Sequence, residues 1–363
     1  MDAGRPEAGR HYPRSLDEFT SWVGTERDAA EYLKAVRFRD GLRCPRCLTA
    51  ASDRPGRRWW CGACRRWFTV TTGTVLERTK VPLRTWLLVA WQLCQTKIGV
   101  SALSVQRMTG VHYRTAWYLL HKIRSAMDQD GRERLSGDVE FDETYLGGVG
   151  TKPGRSRATK QPVAVACERA TDTAMGRIRL ARLPDVSSLA IADFLEHNVE
   201  PGSVILSDSL ASYGPAMEEL AKRGLHYAHK PTTLRRAGRA HEVHPHVHRV
   251  AALLKRWILG THQGSMDDAY LDAYLDEFVF RFNRRGAHNR GLVFWRLVCA
   301  LLETRPLTRP DLSARARTQK GSDIAHTRTV DEWKTEHRRA AKRESARRRR
   351  AKLVGDEPKD PGP

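Results

Sequence analysis

Apolar residues crowd residues 82–94 (Leu83, Trp86, Leu87, Leu88, Val89, Trp91, Leu93), and a second apolar pattern over 101–124 is broken at Thr109-Gly110-Val111. Density and break together predict three helices with a tight turn between the last two. A shorter amphipathic helix is expected over 26–37, behind a leader that contains Pro and Gly. Past a polar linker at 128–136 the texture changes to short runs. Strands are expected over 138–146, 162–168 and 177–183, then a helix over 186–199, a fully buried strand over 203–207 and a helix over 211–223. Three strands, a helix, a strand and a helix predict an α/β sheet of mixed strand direction in one domain of about 150 residues.

Composition changes this picture in three ways. With 363 residues and 40% hydrophobic content there is material for one good-sized core and one or two small modules. Lys+Arg outnumber Asp+Glu by 63 to 42, a formal charge of +21, so a polyanion is the expected partner, and nucleic acid is the commonest one. Residues 334–352 alone hold ten Lys/Arg against two Glu, and the chain from 304 on is poor in apolar residues, so 304–363 reads as a basic tail without a core. No run resembles a membrane span or a signal-peptide core, and a cytoplasmic protein is expected. Of the seven cysteines, four sit in tight pairs, while Cys94, Cys167 and Cys299 lie alone among apolar neighbours, as small buried hydrophobes do.

The paired cysteines are Cys44-Pro-Arg-Cys47 and Cys61-Gly-Ala-Cys64, 13 residues apart. Four thiolates at this spacing suit one tetrahedral Zn2+, which replaces the core that residues 41–73 are too few to build, and they leave no coordination position open for substrate. Arg57, Arg58, Arg65 and Arg66 interleave with Trp59, Trp60 and Trp67, a surface suited to a DNA backbone unless the indoles serve only to pack the module. The stretch from Ser101 to Trp117 resembles a helix-turn-helix: Ser101 can cap, Gly110 can turn, and His112, Tyr113, Arg114 and Thr115 would open the recognition helix. Lys122 and Arg124 extend its basic character, although a plain helical hairpin has the same pattern. Two acids end up at strand positions. Asp142 shares a strand face with Glu140, and Asp208 closes the strand at 203–207, where ligand sites gather. His248 and Lys255 are seven apart on one face of a helix begun by Pro245, beside an apolar stripe of Val247, Val250, Ala251, Leu254 and Ile258. His248 also fits a surface histidine cluster with His241, His244 and His246, and Lys255 also fits a solvated helix charge.

Over about residues 15–300 these segments resemble bacterial insertion-sequence transposases of the DDE type, in the ISXO-like group. The resemblance is carried by Phe68-Thr-Val-Thr-Thr-Gly-Thr-Val75, Phe141-Asp-Glu-Thr-Tyr-Leu-Gly-Gly148, Leu254-Lys-Arg-Trp-Ile-Leu-Gly-Thr-His262 and Tyr274-Leu-Asp-Glu-Phe-Val-Phe-Arg-Phe-Asn-Arg-Arg285. It implies an α/β chain whose RNase H-like mixed-sheet catalytic domain (137–300) follows a helical leader (1–40), a zinc ribbon (41–75) and a helix-turn-helix region (80–128), with the basic tail at 304–363. By position it makes Asp142 and Asp208 the first two catalytic acids, His248 the third ligand, where the group carries Glu, Asn or His, and Lys255 the basic partner. It implies two Mg2+ or Mn2+ ions about 4 Å apart, with Asp142 between them, and one structural Zn2+. Because Mg2+ prefers oxygen, the histidine weakens the match to that ion, and Glu140, on the Asp142 face, is the carboxylate that would compensate. The implied partners are double-stranded DNA, as terminal inverted repeats and as target, and further copies of the chain assembled on it; the implied location is the cytoplasm, on the nucleoid. A transposase-derived DNA-binding protein without activity would share the DNA-reading parts, and an RNase H-like nuclease would share the metal site without joining ends.

Removing 334–363 is expected to weaken binding to specific and random DNA equally, because a run of arginines meets phosphates. The slope of affinity against salt should become shallower by roughly 0.9 for each phosphate that the tail had neutralised. Weakening confined to terminal-repeat DNA, measured by titration at several salt concentrations, would make the tail a specificity element.

Overall fold

The computed structural model describes residues 5–53, 55–128, 132–147, 160–232, 243–264, 268–308 and 311–312; the arginine-rich run at 334–352 lies outside them. Among the described residues no helix is long and apolar enough to cross a membrane.

The N-terminal part is one continuous core. Helix α1 (Leu16–Trp22) is capped by the Ser15 hydroxyl, which accepts from the Glu18 N–H. Helix α2 (Glu26–Arg37) opens on a reciprocal capping box between Thr25 and Asp28. The hairpin β1 (Trp59–Cys61) and β2 (Arg66–Phe68) follows, then α3 (Leu83–Gln95), α4 (Ala102–Thr109) and α5 (Tyr113–Ser125). Gly110 ends α4 in the left-handed region (φ +73°), the conformation a tight turn into α5 requires. Phe19 stacks on Trp91 at 4.8 Å, and Phe294 meets both edge-on. Phe294 belongs to the last described helix, Arg290–Glu303, which packs against α2 and α3. The hairpin's inner residues Trp59, Cys61 and Phe68 join the same core, so the cysteine-bearing piece leans on the helices as well as on its thiols.

The second part is a five-stranded sheet. Its strands are β3 (Asp138–Leu146), β4 (Gln161–Arg169), β5 (Met175–Arg182), β6 (Val204–Asp208) and β7 (Ala228–Thr232), in the order β5-β4-β3-β6-β7. β3, β4 and β5 pair antiparallel, and β6 and β7 run parallel to β3, the mixed RNase H-like arrangement. Alternation along the strands builds two different faces. Val139, Phe141, Ala164, Ala166 and Ile205 lie beneath α6 (Ser188–Asn198) and α7 (Tyr213–Lys222). Leu146, Val163, Val165, Ile178 and Leu180 lie beneath α8 (Pro245–His262) and α9 (Leu271–Phe282); the helix Arg290–Glu303 is α10 in this order.

The element expectations agree with this closely for α2, β3, β4 and α6, and fail at two places. α1 is only seven residues and offers too little period to read. β7 (Ala-His-Lys-Pro-Thr) is an edge strand with mostly exposed positions and a proline, so it has no apolar alternation to detect.

Two residues expected to touch DNA are instead internal. Lys122, 8% exposed, donates its ammonium to the Val75 carbonyl at 3.1 Å. Arg124, 1% exposed, donates through Nε to Glu277 at 2.8 Å and lies over the Tyr274 ring at 4.3 Å. Helix α5 therefore turns this basic end inward and fastens to α9. The α3–α4 loop closes over the same carboxylate and its second partner, Arg281. A Cβ at Gly99 (φ +76°) would stand 2.7 Å from Arg281 Nη1 and 3.0 Å from Glu277 Oε1, so only glycine fits there.

Truncating Glu277 to alanine would leave two guanidinium groups facing a buried hole, a loss of about 3–5 kcal/mol. Urea unfolding should show that cost for Glu277→Ala and a smaller one for Arg124→Met with Glu277→Leu, which leaves only Arg281 without the carboxylate. A single-variant cost below about 1 kcal/mol, the range of exposed pairs, would mean the pair is not what joins α5 to α9.

Candidate active site

The site is built where β3 and β6 run side by side. Their parallel register places Glu140 opposite Leu206, so two residues further on Asp142 comes level with Asp208 on the same face of the sheet. Each carboxylate is steadied by one backbone donor: Glu143 N–H to Asp142 Oδ1 at 2.8 Å, and Leu210 N–H to Asp208 Oδ1 at 3.0 Å. The other Asp142 oxygen lies 3.7 Å from His248 Nδ1, with both side chains about one-third exposed. Burial raises the pKa of Asp142 and the Asp208 charge adds to it, against the Glu143 N–H and His248, which lower it. Two acids held close enough to disturb one another are a place for a cation.

His248 is there because of Glu140. That residue is fully buried, and its Oε2 accepts the first-turn N–H groups of His246 (2.9 Å) and Val247 (3.1 Å). Its Oε1 accepts from the His246 ring at Nδ1 (2.6 Å) and from Arg169 (3.0 Å). Burial alone would raise the Glu140 pKa, but the bonds from His246, Arg169 and Val247 outweigh it and hold the carboxyl below its ordinary value. A carboxylate from the sheet thus satisfies the N-terminal N–H groups of α8. Glu140 faces the Asp142 side, as alternation requires, but with four donors on it the expectation that it supplements the metal ligands does not hold. Nor do the histidines form a surface cluster: His244 and His246 are 4% and 3% exposed, and His241 lies outside the described residues.

Lys255 lies two turns along α8, exposed and within the field of Asp142. Desolvation lowers its pKa first, Lys160 lowers it further, and Asp142 opposes both. On the opposite face of β3, Glu143 accepts the Tyr213 hydroxyl at 2.9 Å and is pushed up to about 7, chiefly by burial. Sequence reasoning passed over Glu143 and Tyr213; the parity of Glu143 against Asp142 was the available signal that it faces α7.

The four expected zinc ligands come together. The Sγ atoms of Cys44, Cys47, Cys61 and Cys64 all lie within 4.8 Å of one another, with Cys44–Cys64 at 3.7 Å and Cys47–Cys61 at 3.5 Å. Bonds of about 2.3 Å to a tetrahedral zinc require sulfur separations of about 3.8 Å. The residues after each pair, Leu48 (φ 61°) and Arg65 (φ 50°), are left-handed, which curls each knuckle around its thiols. Among the described residues this is the only such group of three or more ligands. Asp142, Asp208 and His248 do not form such a compact group.

Of the expected DNA contacts, Arg57, Arg58, Arg65 and Arg66 are exposed on and beside the hairpin, and His112, Tyr113 and Arg114 are exposed at the start of α5. Thr115 is half-buried, and the His112 ring accepts the Arg114 N–H at 3.2 Å, capping the helix.

Residues 134–283 match the family of ISXO2-like transposase domains. Over 283 residues the chain is 28% identical to a protein of Halobacterium salinarum described as an uncharacterized protein in transposable element ISH50; the match covers 71% of this chain and 90% of that one. Among solved structures it is similar to a chain of a simian T-cell lymphotropic virus intasome in complex with PP2A regulatory subunit B56 gamma. That match has 14% identity and a TM-score of 0.30 over 58% of this chain and 75% of that one, a superposition too loose to carry an argument.

If Glu140 sets the position of His248, Glu140→Gln should weaken Mn2+ binding about 10-fold, the usual effect of disturbing a group behind a ligand. Calorimetric titration would measure it, with Asp142→Asn as the ligand-loss reference. Unchanged Mn2+ affinity in a folded Glu140→Gln protein would mean other contacts hold α8 in place.

Proposed function

We propose that this chain is an insertion-sequence transposase that binds the terminal inverted repeats of its element and cuts and rejoins DNA with Asp142, Asp208, His248 and Lys255, a reading supported by the match of residues 134–283 to the ISXO2-like transposase domain family. The observation that carries the reading is the placement of His248 Nδ1 3.7 Å from Asp142 Oδ2, on a helix packed against the strand whose register brings Asp142 level with Asp208.

Asp142, Asp208 and His248 would hold two divalent ions, Mg2+ or Mn2+, which supply Lewis acidity to a phosphodiester and to an attacking oxygen. The chain's own part is to place groups. The backbone N–H donors of Glu143 and Leu210 each fix one oxygen of an aspartate. Glu140 fixes the start of α8 and with it His248. Lys255, two turns on, offers an ammonium to a phosphate oxygen of the bound strand. The attacking group is water or the 3' hydroxyl of a cut end, so no side chain is consumed and no covalent protein–DNA intermediate forms.

The end-reading parts are assigned by exposure. His112, Tyr113 and Arg114 sit at the N-terminus of α5, where a recognition helix reaches base edges, and the hairpin arginines take the backbone. Zinc at the cysteine cluster is structural, since all four positions are thiolates. Joining two ends at one target needs two active sites together, so the working form is an assembly of copies on DNA.

Asp142→Asn and Asp208→Asn should abolish cleavage of an element-end substrate while leaving its binding intact, and His248→Ala should lose most activity. His248→Glu should keep or raise activity in Mg2+, because a carboxylate suits a hard ion better, and the unaltered protein should prefer Mn2+. Cleavage and joining assays on labelled ends read all four. Full activity of His248→Ala in Mg2+ would place the third ligand elsewhere on the chain.

A further inference from the structure

Trp60 and Trp67 are direct cross-strand partners on the outer face of the β1–β2 hairpin, with ring centroids 5.5 Å apart in an edge-to-face pair. They are 47% and 56% exposed, whereas their inner-face neighbours Trp59 and Phe68 are 4% and 1% exposed. The core therefore accounts for the inner aromatics and not for the outer two. Their surroundings are cationic. From Asp53 to Glu77 there is no intervening acidic residue and there are five arginines, and the Arg58 guanidinium lies 5.5 Å over the Trp67 ring. A protein partner for two indoles would meet an apolar rim; these indoles have a rim of guanidinium groups. The occupant that matches both is one that carries flat rings and phosphates on a single strand. Duplex DNA offers its phosphates and base edges but keeps its ring faces stacked on each other. Unpaired nucleotides offer both, and indole platforms flanked by basic residues bind them without regard to sequence.

We propose that the Trp60–Trp67 face binds unpaired nucleotides of a DNA strand, with bases stacked on the indoles and phosphates held by Arg57, Arg58, Arg65 and Arg66. This rests on the DNA-binding reading above and extends it. The ribbon would engage strands that are frayed or already cut, while α5 reads paired sequence.

The test uses the full chain with its zinc and three probes: a blunt duplex, the same duplex with a short thymidine overhang, and the same overhang made of abasic units of equal charge. Fluorescence anisotropy should show the thymidine overhang bound about 10-fold more tightly than the abasic one, the contribution of a stacked base. Trp60→Ala and Trp67→Ala should erase that difference and leave blunt-duplex affinity alone, while Trp60→Phe with Trp67→Phe keeps part of it; zinc content equal to the unaltered protein certifies the fold. The base-versus-abasic comparison in the unaltered protein needs no variant. Equal affinity for the two overhangs overturns the proposal and leaves DNA binding standing. A preference for bases that survives both alanine variants puts the stacking elsewhere and also overturns it, as does an equal weakening on blunt duplex. Failure to bind any probe removes the DNA reading itself.

Discussion

Glu140 carries four donors on one buried carboxylate: two N–H groups from the first turn of α8, the His246 ring and Arg169. A carboxylate with no solvent contact tolerates ionisation only when such donors surround it, and a helix N-terminus supplies them with the right sign of charge. The bond network has a geometric consequence. Asp142 is two residues along the strand from Glu140, and His248 is two residues along the helix from His246, so one anchored contact sets two side chains of the site against each other. Any slip of α8 along the sheet would break three hydrogen bonds before it moved His248 by one residue.

A second buried contact does the same for the larger parts. Arg124 at the end of α5 and Glu277 in α9 are 1% and 0% exposed, and Arg281 lies on the same carboxylate at 3.5 Å. A buried pair adds little net stability, since desolvation offsets the attraction, but it punishes every arrangement in which one partner lacks the other. The helix whose exposed start carries His112, Tyr113 and Arg114 is thereby held to the helix layer over the sheet. The exposed start of α5 and Asp142 are then fixed relative to each other.

The parts of the fold that were legible in the sequence are those where period and burial agree. α2 has a clean amphipathic pattern and a capping box, β3 alternates, and four cysteines in two pairs can serve little besides a metal. The parts that were not legible are those where position in the fold overrides residue type. Lys122 and Arg124 have the composition of a DNA-facing helix end, but α5 is packed on both sides there, and their donors find Val75 and Glu277 instead. Glu140 has the parity of a metal ligand, yet whether a carboxylate on that face is free depends on which helix ends against it. β7 is recognised only through its pairing with β6. Asp142, Asp208 and His248 were singled out through spacing and resemblance; the placement of the two aspartates comes from a parallel register that no single strand reveals.

The histidine at 248 also affects the site before any ion binds. Asp142 already has a raised pKa, through burial first and the Asp208 charge after it, and His248 is among the groups that counter this. A carboxylate at 248, in place of the imidazole 3.7 Å from Asp142, would add a third negative charge to a partly buried cluster and press Asp142 further toward its protonated form. An imidazole adds no such charge and can favour the Asp142 carboxylate. The cost falls on the loaded site, where two divalent ions would be balanced by two formal negative charges instead of three. On the proposed function, a site of this kind is easier to form without metal and would hold hard ions less tightly than one with a third carboxylate.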